Sequence, residues 1–394
     1  MKPAELRASL RSLARPEQLA DGEAVAERYA RARWSVLAEP GDAVAGLAVA
    51  RLGAAAALEA ALGGGPAPET LELADRDWSR ALGRWQPRRD DHTYPIELAQ
   101  RVGARLVIPG DADWPTRLDD LGVHAPFALW VRGRASVLAG EAPAVALVGA
   151  RAATSYGVRV TAEIAGDLAA RGATIVSGAA FGIDAAAHRA SIAVGGQGIA
   201  VLAGGVEKAY PAAHGELLTG LSRQGAVISE VPCGTAPTKW RFLQRNRVIA
   251  ALADATVVVE AGWRSGSLNT AGHAASLGRA LGAVPGPVTS AASAGCHRIL
   301  REYDGHCITS ADDVRELIGW SPDDPPSTDP GAAASRTDDT TRILDALSAR
   351  TPRQVSEVAR RSGLPAEEAT ALLGLLALEG RAEVDPRGWR RPRS

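Results

Sequence analysis

The stretch Ala144-Val145-Ala146-Leu147-Val148-Gly149-Ala150-Arg151 decides the fold. Five apolar residues without alternation read as a strand buried on both faces, ended by a glycine. Thr154-Ser155-Tyr156-Gly157 follows, then a segment of helical length at Val158–Arg171, then a short apolar run at Thr174–Val176. Strand, turn, helix, strand is the repeating unit of a parallel sheet covered by helices.

Short apolar runs recur on both sides of this stretch, and most of the later ones alternate with segments of helical length. Apolar runs stand at Arg105–Ile108, Phe127–Val131, Ile199–Leu202, Ala226–Ile228, Thr256–Val259 and Ala283–Val284. Segments of helical length stand at Asp184–Val194, Gly215–Arg223, Arg241–Leu252 and Leu268–Leu281. The pattern predicts an α/β fold over residues 101–320, a Rossmann-like doubly wound parallel sheet with helices on both faces. Residues 1–100 read as helical instead, with helical composition at Ala24–Leu37 and Ala43–Leu62 and a break at Gly63-Gly64-Gly65-Pro66. The polar stretch Gln86–Thr93 marks the boundary. Residues 321–341 lose all periodicity and read as a linker. Over residues 342–394, helical patterns at Arg342–Ala349, Gln354–Arg361 and Ala366–Leu378 precede a β-like tail turning at Asp385-Pro386-Arg387-Gly388, the order of a winged-helix module.

Bulk properties narrow the function. At 394 residues the chain holds two or three domains. Forty-four basic and 45 acidic residues leave a net charge of −1, so nucleic-acid binding requires a local patch. Cys233, Cys296 and Cys307 form no disulfide framework, which suits a reducing cytoplasm. Met1–Ala20 lacks a signal-peptide pattern and no apolar run approaches a membrane span, so no membrane partner is expected.

Lys239-Trp240-Arg241-Phe242-Leu243-Gln244-Arg245-Asn246-Arg247 is such a patch: four cations and two aromatics with no acidic residue. Cations hold phosphates and flat rings stack on unpaired bases, whose faces a duplex hides. If Arg151, Lys239, Arg241, Arg245 and Arg247 each neutralise a phosphate, log K should fall against log salt with a slope of about −3 to −4. The same composition also fits an amphipathic helix with Trp240 and Phe242 in the core and the arginines solvated.

The strand ends supply a second signal. Ligands of doubly wound sheets sit at the carboxyl ends of strands, near helix N-termini. There Gly149 allows close backbone approach to a phosphate, Arg151 offers a forked donor, and Thr154 or Ser155 a hydroxyl. Ser177-Gly178, Gly204-Gly205 and Ser265-Gly266-Ser267 repeat the device along one rim. An ordinary strand-to-helix turn with a surface arginine fits Gly149–Ser155 as well. The sequence has neither a three-glycine dinucleotide fingerprint nor a Walker loop. Asp184 and His188 share a helix face; a general-base or metal pair is one reading, and Asp184 bonding free N–H groups or ordering His188 is the preferred one. Cys296-His297 and His306-Cys307 match no usual zinc spacing, so neither metal nor cofactor is expected.

Together these residues resemble the bacterial DprA/Smf family. The resemblance runs through Val148–Arg151, Ser177–Asp184 with Ala187-His188, Tyr210-Pro211, Ser229–Pro232, Arg245–Ile249, Glu260, Ser265–Ala271 and Pro285-Gly286, in order. It implies a non-enzymatic protein that binds single-stranded DNA as a homodimer and loads RecA recombinase during natural transformation. It also implies that residues 1–100 correspond to the family's sterile-alpha-motif-like extension. Gly149, Arg151, Thr154 and Ser155 would be the phosphate-binding motif, with Lys239 and Phe242 the cation and stacking ring. In the winged helix, Ala366–Leu378 carries Glu367 and Glu368 and no cation, while Arg387, Arg390, Arg391 and Arg393 lie in the hairpin and tail. Sequence-specific duplex reading is therefore not expected.

Two other readings compete. A phosphoribohydrolase-like enzyme would use the same fold, yet Ser265–Thr270 lacks that group's glycine-rich loop and following Glu, and hydrolysis needs a placed base. A nucleotide sensor would need only the phosphate rim.

Overall fold

Ala144, Ala146 and Val148 face one side of a central sheet, Val145 and Leu147 the other, and all five are buried. Covering both faces is what removes the alternation from the sequence. The structure, a computed structural model, describes residues 3–90, 93–321, 339, 341–348, 351–378 and 380–392.

The chain begins with helices α1 (Pro3–Leu10), α2 (Gly22–Leu37), α3 (Ala43–Leu52), α4 (Ala54–Gly63), α5 (Asp75–Trp85) and α6 (Thr93–Arg101). The segment expected as one helix over Ala43–Leu62 is divided at Gly53, whose φ of 80° is open to glycine at little cost. Trp34, Trp78 and Trp85 form the centre of this region, packed edge to face with Trp34 and Trp85 centroids 5.1 Å apart. Phe127, from beyond the helices, joins that core, while Leu10 and Leu13 pack into the sheet's own cluster. Residues up to Trp320 thus make one compact unit, and a second lies beyond it.

The sheet strands are β1 (Arg105–Val107), β2 (Leu129–Gly133), β3 (Ala144–Val148), β4 (Thr174–Ser177), β5 (Gly198–Leu202), β6 (Ala226–Ser229), β7 (Ala255–Val258), β8 (Ala280–Ala283) and β9 (His306–Cys307). They lie in the order β1-β2-β6-β5-β4-β3-β7-β8-β9. From β6 to β9 all neighbours are parallel. At one edge β2 runs antiparallel to β6 and β1 antiparallel to β2. The helices among these strands are α7 (Ser155–Ala170), α8 (Ile183–Ala193), α9 (Gly215–Gln224), α10 (Lys239–Leu252), α11 (Ser267–Ser276), α12 (Ala294–Glu302) and α13 (Ala311–Leu317). The helix expected over Leu268–Leu281 ends five residues early and its tail enters β8, because Ala-Leu-Gly-Ala suits either state. α10, α11 and α12 cover one face, and α7, α8 and α13 the other.

The strand order reverses between β3 and β7. After β3 the chain steps outward through β4, β5 and β6, returns along α10, and continues through β7 and β8 in the opposite direction. Such a reversal opens a crevice at the carboxyl ends of the two central strands.

In the second unit, residues 341–346 are helical, followed by α14 (Val355–Ser362), α15 (Ala366–Leu378) and a hairpin of β10 (Glu383–Asp385) with β11 (Gly388–Arg390). Ile343, Val358, Leu373 and Leu376 are its core, with Trp389 packed against them. This is the winged helix that the sequence predicts. Most of the predicted linker at 321–341, together with Ala349 and Arg393, lies outside the described residues. Among the described residues no helix is long and apolar enough to cross a membrane.

Candidate nucleic-acid interface

A cavity of about 440 Å³ occupies the crevice between β3 and β7. Gly149 and Arg151 line it from the end of β3, Ser265, Gly266 and Ser267 from the loop after β7, and Lys239, Phe242 and Arg245 from α10. Thr238 starts α10 by accepting the N–H of Arg241 at 3.2 Å. This cap sets the first turn at the rim and leaves Lys239 exposed.

Phe242 is half-buried on the wall of the groove. The Arg151 guanidinium carbon lies 4.9 Å from its ring centroid and that of Arg245 5.8 Å. The Tyr210 ring is 5.5 Å away, tilted by 49°. The core-packing alternative is overturned for Trp240, which is 55% exposed. Arg151 and Lys239 are exposed, and among the described residues neither has an ion-pair partner. Tyr210 belongs to the site although its side chain was not singled out from sequence; a lone aromatic after the Gly204-Gly205 strand end was the available signal.

The rest of the basic run is otherwise engaged. Arg247 is buried and meets both oxygens of Glu230 at 2.6 and 2.7 Å, while also donating to the His124 carbonyl. Arg241 meets both oxygens of Glu39 at 2.7 and 3.0 Å. Arg245 lies on the floor of the groove and donates to the carbonyls of Gly178 and Val201. Burial lowers its pKa to about 10, opposed by the charge of Asp184 and reinforced by that of Arg151, so it stays cationic near neutrality. Treating Arg241 and Arg247 as free phosphate contacts is therefore corrected, because their donors hold the fold; Arg245 commits Nε and Nη1 to the fold while still lining the groove. Asn246, between two of these arginines, donates to the Gly266 carbonyl and to Asn269, fixing the Ser265–Ser267 loop against α10.

The β3–α7 turn is corrected in the same way. Thr154 donates its N–H and hydroxyl to Glu260 at 2.8 and 2.5 Å, so the protein's own carboxylate occupies the place assigned to a phosphate. Ser155 is exposed at the start of α7 but does not line the cavity. A Cβ on Gly149 would stand 2.7 Å from Ile183 and 2.8 Å from the Glu260 carbonyl, so this glycine serves close packing as well as lining the groove. Gly178 makes room for Arg245, whose Nη1 would be 2.2 Å from a Cβ there, and its N–H is given to Asp184. Ser265 and Ser267 share a hydroxyl hydrogen bond at 2.7 Å on the rim.

Asp184 also lines the groove. It accepts N–H groups of Gly178 and Ala180 at 3.2 and 3.3 Å; burial raises its pKa against the opposing charge of Arg245. It braces the loop after β4 rather than the start of α8. His188 is fully buried behind it, and burial holds the ring's pKa down at about 4.

A family model described as "DNA recombination-mediator protein A" matches residues 105–319, and one described as "DprA winged helix domain" matches residues 325–388. The chain belongs to the DprA family. A Mycobacterium tuberculosis relative bearing the DprA name is 43% identical over 311 residues, covering 75% of this chain and 79% of that protein. The Escherichia coli protein Smf is 36% identical over 296 residues, covering 73% and 77%. The X-ray structure of DNA processing protein A from Streptococcus pneumoniae aligns with a TM-score of 0.57 at 29% identity, covering 73% of this chain and 97% of that one. The groove thus lies inside the segment matched by the DprA model, and so do the buried Arg245 and Arg247 that brace it.

Proposed function

We propose that the protein binds single-stranded DNA in the groove between β3 and β7 and acts without catalysis, as a cytoplasmic homodimer that hands the strand to RecA recombinase in transformation and recombination. The observation that carries this reading is Phe242, set between Arg151 and Tyr210 with Lys239 one turn away. Aromatic and guanidinium planes beside free cations accept unpaired bases and their phosphates with little regard to sequence. The names of the relatives, which speak of DNA processing, and the family description as a recombination mediator support the same role.

Of the five cations counted from sequence, Arg151 and Lys239 are exposed and have no ion-pair partner among the described residues, and these two are taken as the phosphate contacts. At about −0.7 per phosphate contact, one groove gives a salt slope near −1.4, and a dimer holding one strand in two grooves about twice that. Gel shifts with single-stranded and duplex oligonucleotides of equal length and salt test the proposal. Equal affinity for both, or a slope near zero, would overturn it. Light scattering at micromolar concentration tests the dimer, and the rate of RecA coating on a pre-bound strand tests the loading role. Release of free base from nucleoside monophosphates would instead establish the hydrolase.

A further inference from the structure

On the far side of Arg151 lies a second hollow, of about 570 Å³, which the groove does not include. Arg151, Ala153, Val158, Phe181, Ala186 and Arg189 line it, and Arg151 alone of these also lines the groove. Phe181 is 49% exposed, large for a phenylalanine outside a known contact. Its ring rests edge to face on the buried His214, with centroids 4.8 Å apart, so the ring is supported while remaining open to solvent. Gly182 follows with a φ of 77°, and a Cβ there would stand 2.2 Å from the Ala150 carbonyl and 2.6 Å from that of Arg151. The turn carrying Phe181 is thereby set tightly against the backbone of Arg151. Arg189, exposed on α8, has no ion-pair partner among the described residues, and no carboxylate lines the hollow.

We propose that this hollow is a second base-stacking subsite for single-stranded nucleic acid. A strand whose base sits at Phe242 passes over Arg151, and a nucleotide farther along the strand stacks on Phe181 with its phosphate at Arg189. The proposal rests on the groove reading above. Continuity through Arg151 and the unopposed positive charge favour a nucleic-acid strand over an apolar protein segment.

The test is fluorescence anisotropy with oligothymidylates of about four and about twenty nucleotides, spanning one subsite or both. Wild type, Phe181→Ala, Phe181→Leu, Phe181→Tyr, Arg189→Ala and Phe242→Ala are compared. Phe181→Ala and Phe181→Leu should weaken the longer strand about 5- to 150-fold, the range for one base–aromatic contact, and the shorter one much less. Phe181→Tyr should restore binding, and Arg189→Ala should reduce the long-strand salt slope by about 0.7. Melting temperature is read on each preparation. Because Leu keeps apolar volume without a stacking plane, equal long-strand affinity for Phe181→Leu and wild type overturns the subsite. Loss by Phe242→Ala with no loss by any Phe181 or Arg189 variant overturns the subsite but leaves the groove standing. Absence of single-strand binding by wild type overturns both.

Discussion

The first turn of α10 and the turns after it share one sequence character and two fates. Lys239 and Trp240 are exposed and Phe242 half-exposed, whereas everything from Arg245 to Leu252 is buried. The helix starts at the rim and runs inward along one face of the sheet. Lys239 on its outer turn faces water. The cations on its inner turns have been taken out of water and each has acquired a carboxylate or carbonyl partner, without which a buried charge would be prohibitively costly. A dense basic run therefore says little about how many of its charges stay available to a ligand.

This contrast can be broken most forcefully at Arg247. Its pair with Glu230 has side-chain exposures of 4% and 8%. Arg247→Ala leaves that carboxylate buried and unpaired, and should cost about 3–5 kcal/mol in urea unfolding. The folded fraction should keep its oligonucleotide salt slope; a stable variant with a reduced slope would place Arg247 in the outer class.

Phe242→Ala comes next. It should cost about 1–3 kcal/mol in single-strand affinity without changing the salt slope. A core phenylalanine would instead cost about 3–5 kcal/mol in stability, so a large thermal loss with unchanged affinity would move Phe242 inward. Lys239→Ala should do the reverse of both: the salt slope falls by about 0.7, all sequences weaken alike, and the melting temperature stays put.

The smallest effect concerns Arg241, which stands between the two classes. Burial raises the pKa of Glu39, but the hydrogen bond and charge of Arg241, followed by those of Arg88, outweigh it and hold the carboxyl below its usual 4.5. A depressed folded value means that the stabilisation is complete above 4.5 and is lost as pH falls through the lower folded value. Arg241→Ala should therefore cost about 1 kcal/mol or less at neutral pH, with the gap to wild type narrowing below about pH 4.5. Thermal melts across that range check it; a gap that widens on acidification would break the assignment.

Much of the sheet was legible because strands covered on both faces leave unbroken apolar runs, as in Ala144–Val148. β9 was not, since its two residues, His306 and Cys307, are both exposed and carry no apolar signal. The antiparallel edge was equally hidden, because strand direction leaves no mark in a short run such as Arg105–Val107. Within the site, Arg151, Lys239 and Phe242 could be read because a strand end or a helix start fixes them locally. The fates of Arg241 and Arg247 depend on Glu39 and Glu230, 202 and 17 residues away. Thr154 likewise depends on Glu260, 106 residues distant. Pairings at such separations are products of the folded topology and cannot be read from neighbouring residues.

The two margins of the sheet carry a consequence for how the molecule behaves among its copies. At one margin β1 is three residues long, and the Leu106 N–H is closed by the Leu13 carbonyl at 2.8 Å. At the other, β9 offers only two residues beyond β8. A nine-stranded sheet with long bare margins would invite edge-to-edge growth into aggregates, and short or covered margins are a common protection against it. Neither margin therefore offers a long bare row of backbone groups to a strand from another molecule.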